Sequence, residues 1–234
     1  MTGHLETVTH NSIAIKRLDD YLRNDSGASA FVESLDTNWA GKSAIAKYIA
    51  EHFTMDESLV LDAGSTSYEI AKNIALDADR NKSLHIITNN LAASLCLASV
   101  NISCSIIGGE VDPLHFCTLP SPQVDEFLRQ QYAKSFTSII TAAAIVISDN
   151  GIDIRARKSA QFDYKRALLG SASTKVIAVD HTKWMLPFDG EHMFHVAATD
   201  IHLVVDKIPE FELLPPNRIR ELCDRMGYQL HVAT

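Results

Sequence analysis

Leu59-Val60-Leu61-Asp62-Ala63-Gly64-Ser65-Thr66-Ser67, followed by Tyr68-Glu69-Ile70-Ala71-Lys72-Asn73-Ile74-Ala75, reads as a buried strand, a tight turn and an amphipathic helix. The apolar run ending at Asp62 supplies the strand. Gly64 lets the backbone turn without a Cβ clash, and Ser65, Thr66 or Ser67 caps a helix whose apolar face carries Ile70, Ala71 and Ile74. At such a helix start the first backbone N–H groups lack partners within the helix and the peptide dipoles turn their positive end outward, so an anion is favoured there. An ordinary capped strand-to-helix turn has the same signature, and the surrounding chain has to decide between the two.

Downstream, residues 84–88 form a second strand ending in Thr88-Asn89-Asn90, residues 91–98 a helix, and residues 102–107 a third strand ending in Gly108-Gly109-Glu110. Strand and helix alternating at this spacing predict an α/β fold: a three-layer, Rossmann-like, mostly parallel sheet with helices on both faces and an N-terminal helical arm. In such sheets the carboxyl ends of the strands line one crevice, so their polar ends are expected to share a site.

Residues 1–39 form the arm. Ile13, Ile15, Leu18, Tyr21 and Leu22 give a helical pattern that stops near Asn24-Asp25-Ser26-Gly27, and a short second helix covers 28–35. That second segment is acidic and apolar, unlike a helix that reads DNA, so a packing or oligomerisation arm is expected. Residues 40–234 form the main domain. Its first helix, 41–53, places Ile45, Ala46, Ile49 and Phe53 on one face and Lys42, Lys47 and Glu51 on the other.

Residues 111–120 read as a loop and 121–131 as a helix with Val124, Phe127 and Leu128 inward. Residues 136–147 read as one strand, or two broken near Ala142-Ala143-Ala144, and Asn150-Gly151 as a hairpin turn. A basic loop (Arg155, Arg157, Lys158), a helix over 159–171 and a strand ending in Asp180-His181-Thr182-Lys183 follow. Two more strands, Ile201–Val205 and Gln229–Val232, flank a helix over Pro216–Met226.

A chain of 234 residues with 46% hydrophobic content can bury a sizeable core. A net charge of −8 argues against a surface that holds nucleic acid by neutralising phosphates. Cys96, Cys104, Cys117 and Cys223 form no CxxC pair and read as small buried hydrophobes in a reducing compartment. The apolar run 139–147 is too short to span a bilayer, and a cytoplasmic protein without membrane contact is expected.

Six short motifs occur together in order: Lys42-Ser43-Ala44-Ile45-Ala46, Asp62-Ala63-Gly64-Ser65-Thr66, Thr88-Asn89, Gly108-Gly109, Asp163-Tyr164-Lys165-Arg166-Ala167 and Asp180-His181-Thr182-Lys183. From about residue 41 onward the chain thereby resembles the C-terminal, sugar-phosphate-sensing domain of DeoR-type transcriptional regulators. That domain belongs to a superfamily with ribose-5-phosphate isomerase, glucosamine-6-phosphate deaminase and the CoA-transferases. The resemblance implies that Gly64, Ser65 and Thr66 hold the phosphate of a phosphorylated sugar or related anionic metabolite. It also implies that Thr88 and Asn89 border the pocket, that Gly108 and Gly109 let a loop pass close to the ligand, and that Lys183 adds a positive charge. Asp62 and Asp180 are placed to accept hydrogen bonds from sugar hydroxyls or to fix their own turns. Lys165 and Arg166 read at least as well as a solvated helix face as they do as ligand contacts. The family's regulators carry a helix-turn-helix that residues 1–39 do not match, so direct DNA binding is not expected of this segment. The family's glycines near Ala144 and near Thr118-Leu119-Pro120-Ser121 are also replaced, which reshapes the pocket. A homo-oligomer is expected.

A sugar-phosphate isomerase needs a carboxylate beside C1 and C2. In the related isomerases it comes from a central strand end that corresponds to Thr141-Ala142-Ala143-Ala144-Ile145-Val146, where no side chain titrates. A non-catalytic effector-binding domain is therefore the primary reading, with no catalytic residue and no cofactor, and an isomerase is the alternative. A displaced base could be Glu110, Asp112, Asp149 or His181. His192 and His195 stand at helical spacing, but no third ligand accompanies them and no metal is expected. His85, His202 and His231 lie in strands and are expected to be hydrogen-bonded near the core.

Overall fold

In the computed structural model, residues 2–54, 58–120, 136–155, 159–185, 193–196 and 200–234 are described. The elements in order are α1 (Thr2–Asn24), α2 (Ser29–Asp36), α3 (Trp39–His52), β1 (Ser58–Leu61), α4 (Ser65–Leu76), β2 (His85–Thr88), α5 (Leu91–Ser99) and β3 (Ser103–Ile106). Then come β4 (Gly109–Asp112), β5 (Cys117–Pro120), β6 (Thr137–Thr141), β7 (Ala144–Ser148), β8 (Gly151–Arg155), α6 (Ser159–Ser171) and β9 (Thr174–Ala178). The chain closes with a 3₁₀ turn (His181–Lys183), β10 (Trp184–Met185), β11 (Met193–Val196), β12 (Ile201–Val205), α7 (Pro216–Met226) and β13 (Gln229–Val232).

Seven strands pair in parallel in the order β13-β12-β9-β6-β1-β2-β3. Their side chains split between two cores with the period of two that a sheet buried on both faces requires. Leu59, Leu61, Ile86, Ile139, Val176 and Val204 pack on one side with α1 to α5. Val60, Ile87, Ile140, Ile177, Leu203 and Val205 pack on the other with α6 and α7. The chain runs from β1 outward to β2 and β3, then returns and runs the other way through β6, β9, β12 and β13. The order reverses between β1 and β6, and a crevice opens beyond their carboxyl ends at such a switch point.

The α/β, mostly parallel architecture agrees with the sequence, and so does the break at Ala142-Ala143: β6 belongs to the large sheet and β7 to a small one ordered β10-β7-β8-β11. The β7–β8 hairpin turns at Asp149-Asn150, with Ser148 opposite Gly151. Gly151 has φ +129°, and a Cβ there would meet His195 at 2.9 Å. Residues 111–120 differ from expectation. Rather than a loop they form an antiparallel hairpin, β4 against β5, in which Val111 faces Thr118 and Asp112 faces Cys117. Its turn is built by Asp112, which accepts the His115 backbone N–H at 3.3 Å, and by Phe116 at φ +51°. The expected helix over 121–131, Arg157, Lys158 and His192 lie outside the described residues.

The N-terminal helices join the first core. Ile15, Leu22, Phe31 and Leu35 are buried with Ile45 and Ile49 of α3. Asn11 donates to the Ala75 carbonyl at 2.9 Å, and the Tyr68 hydroxyl donates to Asp19 at 2.7 Å. Cys96, Cys117 and Cys223 are buried and Cys104 partly so; burial pushes the thiols of Cys96 and Cys223 up to about 12 and that of Cys104 to about 11. Among the described residues no helix is long and apolar enough to cross a membrane.

Candidate functional site

A cavity lies at the β1/β6 switch point. Its walls come from the ends of three strands, the start of α4, the tip of the β4–β5 hairpin, and α2.

On one side stands the β1–α4 turn. Gly64 is the N-cap of α4 at φ +143°, a conformation that suits glycine, and a Cβ there would lie 2.7 Å from the Thr141 hydroxyl. Because its N-cap is a glycine, no N-cap side chain closes the first turn of α4. The turn is fixed from outside: Asn90 donates to the Gly64 carbonyl at 2.9 Å and Thr141 to the Ala63 carbonyl at 2.8 Å. The α4 start is thus held open toward the cavity, with Gly64, Ser65 and Thr66 in its lining.

Asp62 lies beneath this turn and does not line the cavity. Its carboxylate accepts the Thr141 backbone N–H at 3.3 Å and the Lys165 ammonium, which also donates to the Thr141 carbonyl at 2.7 Å. Lys165 is therefore a buried strut of the cavity wall, whereas Arg166 next to it is exposed and faces Asp163.

The opposite side is the β9 end. Asp180 is buried, and its Oδ1 accepts from the Thr182 N–H and from Asn38, both at 3.1 Å, and from the Thr182 hydroxyl. Its Oδ2 is buried and has no hydrogen-bond partner among the described residues, with the Lys42 ammonium 3.9 Å away. Lys42, expected on the solvent face of α3, is fully buried and donates to the carbonyls of Ser34, at 2.9 Å, and Thr37. Burial lowers its pKa from the ordinary lysine value; Asp180 pulls it back up and Lys183 pushes it down. Lys183 ends the 3₁₀ turn and lines the cavity.

His181 and Asp206 brace this side. The His181 ring meets Asp206 at 2.6 Å and the His181 backbone N–H donates to the same carboxylate at 2.7 Å. Burial alone would raise the Asp206 carboxyl; the His181 contacts and Asn38 outweigh it and hold it below the usual carboxylate range.

Of the ten residues singled out in the sequence, Gly64, Ser65, Thr66, Asp180 and Lys183 meet at the cavity, with Asp62 directly beneath. Thr88, Asn89, Gly108 and Gly109 do not line it. Thr88 accepts the Asn90 N–H at 3.0 Å, and Asn89 donates to the Thr118 carbonyl at 3.0 Å and accepts the Thr118 N–H at 2.9 Å. The hairpin therefore covers the end of β2. Gly108 and Gly109 lead from the edge strand β3 into that hairpin.

Lining residues that sequence reasoning missed are Ser34, Lys42, His115, Cys117, Thr141 and Lys165. Periodicity marks two of them: Lys42 is in helical register with Ile45, Ala46 and Ile49, and Lys165 with Leu168 and Leu169. Among the described residues Asp180 is the one carboxylate in the lining. Glu110 is exposed on β4, Asp112 bonds His115 at 2.9 Å, Asp149 pairs with Arg218 at 3.0 Å, and His181 holds Asp206. His195 meets Asp153 of the neighbouring strand at 3.1 Å.

The family model for the DeoR C-terminal sensor domain matches residues 37–207. The chain belongs to this family. The DeoR-type sensor domain described here is also 28% identical over 148 residues to the transcriptional repressor AccR of Agrobacterium fabrum, an alignment covering 63% of this chain and 54% of that protein. The chain thus spans about half the length of this curated relative. Solved structures similar to the DeoR-type domain include the ribose 5-phosphate isomerase of Plasmodium falciparum (15% identity, TM-score 0.42, 62% of this chain and 52% of that one). Another is the ribose 5-phosphate isomerase A of Methanocaldococcus jannaschii (13% identity, TM-score 0.45, 63% and 55%).

Proposed function

We propose that this sensor domain is the effector-binding part of a cytoplasmic transcription regulator, and that it takes up a phosphorylated sugar without converting it. The observation that carries this reading is the pairing, in one cavity, of a helix start with a glycine N-cap and a buried carboxylate oxygen that has no hydrogen-bond partner among the described residues. The first attracts an anion. The second calls for a donor, and a sugar hydroxyl supplies one; an unmet buried acceptor costs about 1–3 kcal/mol. Lys183 at the rim suits a phosphate as a point charge.

Thermal denaturation in the presence of ribose 5-phosphate, glucose 6-phosphate and inorganic phosphate tests this. A sugar phosphate at a hundred times its dissociation constant stabilises by about 2.7 kcal/mol. A melting point that no phosphorylated sugar moves removes the basis for the reading.

One observation favours a second reading, a sugar-phosphate isomerase. Asp180 brings to the cavity the carboxylate that the 141–146 stretch lacks. A base there exchanges the C2 proton of the bound sugar with deuterated solvent, while a sensor leaves it in place, and proton NMR distinguishes the two.

A further inference from the structure

Ala30, Phe31 and Ser34 of α2 line the same cavity, yet they precede residue 37, where the match to the sensor-domain family begins. Helix α2 is attached to the site at three points. At its start the Phe31 N–H donates to the Leu114 carbonyl of the β4–β5 turn at 3.0 Å. In its middle Ser34 Oγ meets Ser65 Oγ, in the first turn of α4, at 2.9 Å. At its end the Lys42 ammonium takes up the carbonyls of Ser34 and Thr37, capping the helix with a cation where its dipole is negative. Ser65 and Lys42 therefore serve the cavity and α2 at once.

We infer that α2 is a wall of the effector site, with Ser34 as a positioning residue for the ligand's anionic group, and that occupancy of the cavity tightens the docking of α2. This rests on the phosphate reading of the α4 start. In the free protein either hydroxyl of the Ser34–Ser65 pair can donate. An anion at the α4 start selects one arrangement, in which Ser65 donates to the anion and Ser34 donates to Ser65. A hydrogen-bond chain of this kind is polarised along its length, so each bond strengthens the next. The coupling is reciprocal: whatever the ligand adds to α2 docking, α2 docking adds to ligand affinity. Helix α1 packs on α4 through Asn11 and through Asp19, which accepts from Tyr68, so the tightened segment continues into the N-terminal helix.

Amide hydrogen exchange and calorimetric titration of the full chain with ribose 5-phosphate and glucose 6-phosphate test the inference. With the sugar phosphate that binds, the amides of residues 31–36 should slow by about tenfold at saturation. Ser34→Ala should bind about fivefold more weakly, the equivalent of one hydrogen bond, and should lose that extra protection. Ser34→Thr, which keeps the hydroxyl, should restore both. If the wild type binds while Ser34→Ala binds equally well and the α2 amides are unchanged, α2 is a bystander and the inference is wrong. If neither sugar phosphate binds the wild type, the phosphate reading fails and takes the inference with it.

Discussion

The Lys42 ammonium lies 3.9 Å from Asp180 Oδ2, with both side chains closed off from solvent. The distance is too long for a hydrogen bond. The pair is held by charge alone, leaving the carboxylate oxygen without a hydrogen bond among the described residues and the ammonium committed to α2.

Removing one partner leaves the other charge buried and uncompensated. Asp180→Ala is expected to lower stability in urea by about 3 kcal/mol, because Lys42 then loses its strongest opposite charge and keeps the repulsion of Lys183, with Glu69 and Asp206 opposing it more weakly. Adding Lys42→Met to that variant should recover part of the loss, giving a double variant more stable than the sum of the two single effects. Strict additivity would show that the two charges do not interact.

Gly64→Ala forces a Cβ into a backbone at φ +143° and to 2.7 Å from the Thr141 hydroxyl. Strain of this kind costs about 1–3 kcal/mol. Gly64→Ala/Thr141→Ala removes the clash but keeps the strain and loses the Thr141–Ala63 hydrogen bond, so it should recover at most part of the stability. A Gly64→Ala protein as stable as wild type would mean that the turn is shaped differently.

Ser65→Asp places a negative charge in the first turn of α4, where the helix dipole favours it by about 0.3–1 kcal/mol. The melting point should hold or rise while sugar-phosphate binding falls below detection by calorimetry. Undiminished affinity would put the anion somewhere else.

Stability should fall in mild acid through the edge of the large sheet. His231 is bonded at 3.0 Å to both His202 and the Tyr48 hydroxyl. Burial lowers the pKa of both histidines from the ordinary 6.5, with Asp200 opposing at His202, and His202 and His52 pushing the same way at His231. Since the folded values lie below the unfolded ones, the stability the pair contributes is complete above about pH 6.5 and is lost as pH falls through the folded values. Urea titrations between pH 7 and pH 5 should show this, at no more than about 1.4 kcal/mol per pH unit for each ring. The slope should be shallower in His231→Gln; equal slopes would exonerate the pair.

Local rules account for what was legible. Pro216 opens α7 and Gly227, at φ +71°, closes it, so both ends were written in the sequence. Gly64 after an apolar run marked the turn from β1 into α4 in the same way. The charge of Lys42 points to solvent, and that of Lys165 leaves a solvated face and a ligand role open, while their register points inward: each stands on the apolar stripe of its helix and is buried against a carboxylate that lies 138 or 103 positions away along the chain. Thr88 and Asn89 were placed correctly at a strand end but assigned to the pocket, because a hairpin with a positive φ at Phe116 does not announce itself in Asp112-Pro113-Leu114-His115-Phe116. Ser34 had no local signal at all, since its partner Ser65 is 31 residues away.

The most direct test of the central claim is the electron density of the full chain crystallised with the sugar phosphate that binds it. The phosphate is predicted over the first amides of α4, within hydrogen-bond reach of Ser65 and Thr66, with a sugar hydroxyl on Asp180 Oδ2. A phosphate seated elsewhere, with the α4 start empty and Asp180 Oδ2 still unpartnered, would contradict the account.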